Sequence, residues 1–423
     1  MKTDSADSQS PGSDRRITRR LIQRLPKTDL HVHLDGSLRL GTLIELAGER
    51  GIELPSGTQD GLLELVFKER YRDLPEYLHG FRYTCAVMTD GEALERIAYE
   101  LAEDSLAEGV RYLEVRFAPQ LHVRPGFDVG QVLQAVERGL ERARREHEQS
   151  ESVRMHGEPP LRYGIIACAM RMFTEGFAPY YRDLLGVLRA WPKSEVHGVA
   201  SLSLARSVVD ARDRLGVPVV GFDLAGAEAG NPASDHVEAF QFAHSNFLKK
   251  TVHAGEAYGP ESIFQAITLL HADRIGHGTH IYSTHQVQAD DPTRYVDQLS
   301  QYISDRRITL EVCITSNMQT MPELSSVTDH PFGRMMRDRL SVALCTDNRL
   351  VSRTTVTDEI AKAVEAFDLT AGELRNLAIY GFKRSFYPGS YREKRTYVRQ
   401  VIDFYDRVIA EESEIAVDTA EIL

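Results

Sequence analysis

Cysteine is scarce and scattered: Cys85, Cys168, Cys313 and Cys345 are the only four in 423 residues, and no two form a C-x-x-C pattern. That excludes a disulfide framework and a thiolate metal site, and points to buried thiols in a reducing compartment. Long hydrophobic runs are also missing. The longest clean apolar stretch is Gly164–Met170, far short of the ~20 residues that cross a bilayer. Positive charge is in the minority, with 50 Lys and Arg against 62 Asp and Glu, a net −12. Such a balance repels phosphate backbones and argues against nucleic acid as a partner. No linker rich in Pro, Gly or Ser interrupts the chain, and no internal repeat is found. Met1–Asp14 is rich in Ser and Asp and lacks the apolar stretch of a signal peptide, so residues 1–14 read as a flexible tail. The expectation is a soluble, cytoplasmic protein with no membrane or nucleic-acid partner.

What remains is a chain of ordinary globular composition, 42% hydrophobic. One segment departs from the acidic balance. Asp14–Arg24 carries Arg15, Arg16, Arg19, Arg20 and Arg24 around Ile17, Leu21 and Ile22, and is expected to form a short basic helix leading into the fold. Beyond it, apolar runs of strand length recur at Thr28–Leu34, Arg111–Ala118, Arg162–Met170, Pro218–Leu224, Lys250–Ala254, Arg274–His277, Thr309–Cys313 and Ser341–Thr346. Stretches of helical period separate them, among them Gly130–His147, Asp235–Phe247, Glu261–His271 and Tyr295–Asp305. Strands that read as continuous apolar runs belong to a parallel sheet buried on both faces. Eight strand–helix repeats are what an α/β single (β/α)8 TIM-type barrel requires. A doubly wound open sheet would carry a Gly-rich phosphate turn after its first strand, and Leu34-Asp35-Gly36-Ser37 is not one. Two stretches exceed the bare repeat. Ile52–Cys85 is long enough for extra helices between strands 1 and 2, and the part after Ser385 is charged and helical in pattern. The economical reading is one barrel domain over residues 15–423, with inserted helices at about 52–90 and a helical C-terminal extension.

Barrel enzymes carry their reactive groups at the C-terminal ends of the strands. Here those ends read His31-Val32-His33, His253-Ala254-Gly255-Glu256, His277-Gly278 and Thr346-Asp347-Asn348. Residues two apart on a strand share a face, so His31 and His33 both point at the barrel axis. With His253 and Asp347 they form a nitrogen and oxygen set suited to Zn²⁺ or a similar divalent ion, one per chain. A water on such an ion can have its pKa lowered toward ~7. With 15 histidines, roughly half an H-x-H pair is expected by chance, so that motif alone decides nothing. The weight comes from four strand ends of one barrel carrying ligand types on the same face. Glu256 and His277 are then a carboxyl and an imidazole left beside the metal, the equipment of general acid/base catalysis.

Four segments carry a family resemblance: Lys27-Thr-Asp-Leu-His-Val-His-Leu-Asp-Gly-Ser37, Thr251-Val-His-Ala-Gly-Glu256, Arg274-Ile-Gly-His-Gly278 and Cys345-Thr-Asp-Asn348. In this order they resemble the adenosine deaminase branch of the metal-dependent amidohydrolases, and Tyr112–Pro119 and Phe222–Gly226 fall in place between them. The resemblance covers roughly Leu25 to Phe386. It implies that His31, His33, His253 and Asp347 hold zinc, that Glu256 gives a proton to purine N1, and that His277 orients and takes a proton from the attacking water. It further implies that Asp35 meets the ribose 5′-hydroxyl, that the Gly226 N–H meets N3, and that Leu78 and Phe81 cover the nucleoside, with His33 also bordering it. The implied reaction is zinc-dependent deamination of adenosine and 2′-deoxyadenosine. One position departs from the pattern and bears on the purine N7 contact: the family's best-known members have a second aspartate where this chain has Asn348, whose amide can donate a hydrogen bond without needing protonation.

Three alternatives stay open. Sister deaminases of adenine or a modified adenine nucleoside tend to carry Glu where this chain has Asp35. An AMP deaminase would need a phosphate site, for which Arg349 and Arg353 are candidates unless they are solvated or paired with acids such as Asp358 and Glu359. A non-catalytic nucleoside-binding protein would be expected to have lost a ligand or the acid, and none of His31, His33, His253, Glu256, His277 and Asp347 is missing.

Overall fold

A computed structural model of the protein describes residues 17–421, so the expected tail over residues 1–14 lies outside the described residues. Eight strands follow in chain order: β1 Lys27–His33, β2 Val110–Phe117, β3 Arg162–Met170, β4 Val219–Ala225, β5 Lys249–Ala254, β6 Arg274–His277, β7 Thr309–Val312 and β8 Ser341–Leu344. Each pairs in parallel with the next, giving the strand order 1 to 8 around a TIM-type barrel. The expected strands stand within one to two residues of these bounds. At the ends of β7 and β8 the chain leaves the ladder early: Cys313 caps the helix Ile314–Thr320, and Asp347 turns to φ +61°. The seam between β8 and β1 closes by a single parallel bridge, Val32 to Asp347. There the His33 N–H donates to the Asp347 carbonyl at 2.7 Å, and the Asp347 N–H donates to the His31 carbonyl at 2.8 Å.

The helices outside the barrel are set by local chemistry. Val129–Glu148 begins in a capping box in which Asp128 and Gln131 exchange side-chain and backbone bonds. It packs on Gly91–Ala107 through Gly139, where the two backbones come close. Between β1 and β2 lie Leu40–Arg50, Gln59–Leu65, Leu74–Leu78 and Phe81–Val87, so the expected insertion is helical. The C-terminal helix Tyr391–Glu421 buries Tyr397, Val401, Tyr405 and Val408, a stripe at helical spacing facing the barrel. None of the helices among the described residues is long and apolar enough to cross a membrane.

Of the basic segment, residues 14–16 lie outside the described residues, and Arg19–Arg24 form a helix capped by the Thr18 hydroxyl accepting from the Leu21 N–H at 3.1 Å. Its arginines serve the fold itself: Arg19 pairs with Asp358, and Arg24 with Glu411 and Glu412 on the C-terminal helix. Exposed pairs of this kind contribute ~0–1 kcal/mol each, and the helix is held mainly by buried Ile22. The buried Lys27 ammonium donates to the carbonyls of Ile22, Gln23 and Leu25, closing the helix's C-terminal end.

At Gly139 an added methyl would sit inside the van der Waals envelope of the Glu95 carbonyl oxygen and 2.8 Å from the Tyr99 nitrogen. Both are backbone atoms that cannot swing aside. Gly139→Ala is therefore expected to destabilise the protein by about 1–3 kcal/mol despite alanine's better helix propensity. Denaturant unfolding checks it, and an unchanged or raised midpoint would contradict the close approach.

Candidate active site

His31 and His33 stand two apart on β1, His253 sits on β5, and Asp347 follows β8. All four are buried, and one ligand atom from each lies within 4.8 Å of the others. His33 Nε2 faces His253 Nε2 at 3.1 Å, while Asp347 Oδ1 lies 3.4 Å from His31 Nε2 and 3.5 Å from His33 Nε2. The partners behind the rings say which nitrogens are free. His31 Nδ1 donates to Glu311 at 3.0 Å, and His253 Nδ1 donates to Asp223 at 3.0 Å. Both rings thus turn bare Nε2 lone pairs inward, and His31 Nε2 is a buried polar atom without a hydrogen-bond partner. Two bare lone pairs converging beside His33 Nε2 and a carboxylate oxygen are what a cation satisfies, so the donor set fits a divalent metal.

Sequence reasoning missed the layer beneath. Arg116 donates to Asp223 at 3.1 Å and to Glu311 at 2.8 Å, and Arg274 donates to Glu311 at 2.6 Å and also pairs with Glu114. All of these side chains are buried inside the barrel. Burial works against the charge on Glu311, but Arg116, Arg274 and His31 outweigh it and hold the carboxyl well below the usual range. Asp223 is depressed in the same way, with burial overcome by His253 and Arg116. A signal was available: Glu114, Arg116, Asp223 and Glu311 are charges inside strands of otherwise apolar character, and such charges need partners.

Asp347 divides its two oxygens. Oδ1 faces the histidines, and Oδ2 accepts from the Ser316 hydroxyl at 2.7 Å and from the Tyr77 hydroxyl at 3.4 Å. Glu256 and His277 stand beside this group, with His277 Nε2 3.5 Å from Glu256 Oε1. His277, like Asp347, takes a left-handed backbone (φ +63°), an unusual conformation for a non-glycine residue that aims the ring inward. Burial first, then the nearby Asp347 and Glu228 carboxylates, push the Glu256 carboxyl up to about 8 against the pull of His253 and Arg171. Its loop is held from below. Glu228 accepts the backbone N–H of Gly255 at 2.9 Å, of Glu256 at 3.1 Å and of Ala257 at 2.9 Å, and also bonds the Ser262 hydroxyl. Glu228 too was missed, since nothing in the sequence ties it to a loop 28 residues away.

Above these groups opens a cavity of about 1170 Å³. Every metal-binding, catalytic or nucleoside-contacting residue that the family resemblance implies borders it except His31, which lies deeper. Asp35 is buried with Oδ1 unpartnered, and burial raises its carboxyl to about 7. Gly226, at φ +100°, brings backbone to the wall where a side chain would be strained. Leu78 ends one inserted helix and Phe81 begins the next, so the insertion roofs the cavity. Asn348 also lies on the wall, but one amide hydrogen goes to the Tyr77 hydroxyl at 2.8 Å. The two arginines weighed for a phosphate do not reach the cavity. Arg349 forms an ion pair with Glu108, and Arg353 pairs with Glu69 at 3.6 Å. The expected acids are engaged elsewhere, Asp358 with Arg19 and Glu359 with Thr315 and Thr354. The turn itself forces this outcome, because the Leu350 N–H is bonded to the Gly36 carbonyl at 3.0 Å and the Arg349 N–H to Ser37 at 3.0 Å.

An eight-stranded parallel barrel with three histidines and an aspartate at its C-terminal mouth defines the class of metal-dependent amidohydrolases. The family model described as adenosine deaminase matches residues 26–178 and 165–403. An adenosine deaminase of Mycobacterium leprae is 38% identical over 369 residues, covering 87% of this chain and 92% of that one. The chain belongs to the adenosine deaminase family, whose members are hydrolases acting on purine substrates. Among solved structures, the N6-methyl-AMP deaminase of Arabidopsis thaliana superposes with a TM-score of 0.68 at 27% identity, covering 93% of this chain and 100% of that one. An amidohydrolase from Burkholderia ambifaria with bound Zn gives 0.73 at 19% identity, covering 95% and 97%, a likeness of fold alone.

Asp223 holds the His253 ring by its outer nitrogen, and such partners are typically worth about 10–100-fold in metal affinity. Asp223→Asn is expected to weaken zinc binding by that order while leaving the circular dichroism unchanged. Competition with a chromophoric chelator measures it, and wild-type affinity would show that His253 needs no support from Asp223.

Proposed function

We propose that the protein hydrolyses adenosine and 2′-deoxyadenosine to inosine and 2′-deoxyinosine with release of ammonia, using one Zn²⁺ per chain, in purine salvage in the cytoplasm. The observation that carries this reading is the convergence of Glu256 and His277 with the three histidines and Asp347 on the floor of one cavity. His31, His33, His253 and Asp347 would hold the ion, which supplies Lewis acidity that brings the pKa of a water from 15.7 toward about 7.

The chain's own residues do the rest. The amino-bearing C6 of adenine is a poor electrophile until N1 is protonated, and Glu256, held up to about 8, carries a proton to give at neutral pH. His277 orients the attacking water through Nε2. The water oxygen stays on C6, and its two hydrogens are accounted for by N1 and the departing ammonia. Asp35 meets the ribose 5′-hydroxyl, His33 borders the sugar, and the Gly226 N–H meets N3. Asn348 retains one amide hydrogen for N7 after serving Tyr77. Leu78 and Phe81 close over the nucleoside and keep out water, which strengthens every polar contact beneath them.

A second reading, deamination of a modified adenine nucleotide, is favoured by Arg82 and Arg124, which border the cavity while Arg349 and Arg353 do not. The experiment that separates the two is a panel of adenosine, 2′-deoxyadenosine, adenine, AMP and N6-methyl-AMP on the zinc-loaded protein. Adenosine and 2′-deoxyadenosine are expected to show the highest kcat/KM. A preference for either monophosphate would overturn the nucleoside reading in favour of the nucleotide.

Glu256→Gln keeps shape and hydrogen bonding but cannot readily deliver a proton. Its kcat is expected to fall by about 10²–10⁴-fold or more, with stoichiometric zinc by elemental analysis. Near-normal turnover would remove Glu256 as the donor.

A further inference from the structure

Behind His277, away from the cavity, a chain of two buried side chains, Asn317 and His330, runs to a peptide N–H. Phe332 N–H donates to His330 Nδ1 at 3.1 Å, His330 Nε2 stands 3.2 Å from Asn317 Oδ1, and Asn317 Nδ2 stands 3.2 Å from His277 Nδ1. Asn317, His330 and His277 are all buried, so water does not substitute for any of these contacts. Proton positions on imidazoles and the orientation of an amide are ordinarily ambiguous. Here one end of the chain is not, because a peptide nitrogen can only donate.

The rest follows link by link. His330 Nδ1 accepts from Phe332 and is therefore bare, so the proton of the neutral ring sits on Nε2. Burial, which holds His330 down to about 3, keeps that ring neutral. His330 Nε2–H then needs an acceptor, which fixes the Asn317 carbonyl oxygen on that side. The Asn317 amide nitrogen must face His277, and it donates to His277 Nδ1. His277 is left with a bare Nδ1 and its proton on Nε2, the atom that points into the cavity without a partner of its own.

We infer that Asn317 and His330 are positioning residues that lock His277 in the Nε2–H form. In that form Nε2 has no lone pair, so His277 meets the attacking oxygen as a hydrogen-bond donor and does not take the water's proton in the resting enzyme. This differs from the expectation that His277 removes that proton. The inference rests on the proposed hydrolysis for its catalytic meaning, but the tautomer itself exists in the protein whatever its substrate.

The direct test is histidine-selective ¹⁵N NMR on the zinc-loaded protein, with the His277 signals assigned by their loss in His277→Gln. Wild-type Nδ1 is expected to show the shift of a bare nitrogen and Nε2 that of a protonated one. Asn317→Asp puts an acceptor where the amide donor stood, so His277 Nδ1 should gain a proton. The same variant is expected to lose about 10²-fold in kcat, with KM little changed and zinc stoichiometric. A second pair of variants guards against misfolding of the first. His330→Gln retains a side-chain N–H for Asn317 and should keep most of kcat, whereas His330→Phe removes it and should not. A protonated Nδ1 in the wild type, an Asn317→Asp protein unchanged in both shift and kcat, or equal kcat in the two His330 variants would each overturn the lock. Failure on any substrate alone, with the expected shifts intact, would instead count against the proposed reaction.

Discussion

The Glu311 carboxylate is the point on which the interior of the barrel is organised. It accepts from His31 on β1, Arg116 on β2, Thr251 on β5 and Arg274 on β6, while sitting on β7 itself. Five of the eight strands thus meet at one buried charge. Removing one member of such a cluster leaves the others uncompensated, at a cost of about 3–5 kcal/mol. The charge balance also bears on the metal. In direct ion pairs Asp223, Glu311 and Glu114 share two guanidinium groups, Arg116 and Arg274, while Asp347 faces histidines, so negative charge is in excess beside the inward-facing nitrogens. A divalent cation on the inward-facing lone pairs neutralises that excess.

Closure of the barrel and assembly of the site are the same event. The seam between β8 and β1 has one bridge, and the residue that makes it, Asp347, also faces His31 and His33 with its carboxylate. Its left-handed backbone is held by bonds on both sides, to the His31 carbonyl and from the His33 N–H. Strain of this kind persists only where the surroundings over-determine it. The inserted helices are tied to the same residue through Tyr77, which reaches Asp347, Asn348 and Ser352, so the roof of the cavity and its floor share one set of hydrogen bonds.

The parallel barrel and its mouth were legible in the sequence because both follow local rules. Buried parallel strands read as apolar runs, and His31 and His33 share a face by the two-residue period alone. What stayed hidden depends on contacts between distant segments. Glu228 beneath Glu256, and Asn317 with His330 behind His277, lie on loops and short helices whose positions no periodicity gives. Arg349 and Arg353 show the reverse case: their place after Asp347 suggested a phosphate, but backbone bonds to Gly36 and Ser37 turn that loop so that Arg349 meets Glu108 and Arg353 meets Glu69. The basic helix was visible as a helix, but its partners on the C-terminal helix were not.

The most direct test is diffraction at the zinc absorption edge from a crystal grown with zinc and purine riboside, a nucleoside lacking the amino group at C6. The expected result is a single anomalous peak per chain within bonding distance of His31, His33, His253 and Asp347, with the purine C6 facing it and N1 beside Glu256. A peak elsewhere, or a riboside bound away from this cavity, would contradict the assignment of metal and substrate to one site.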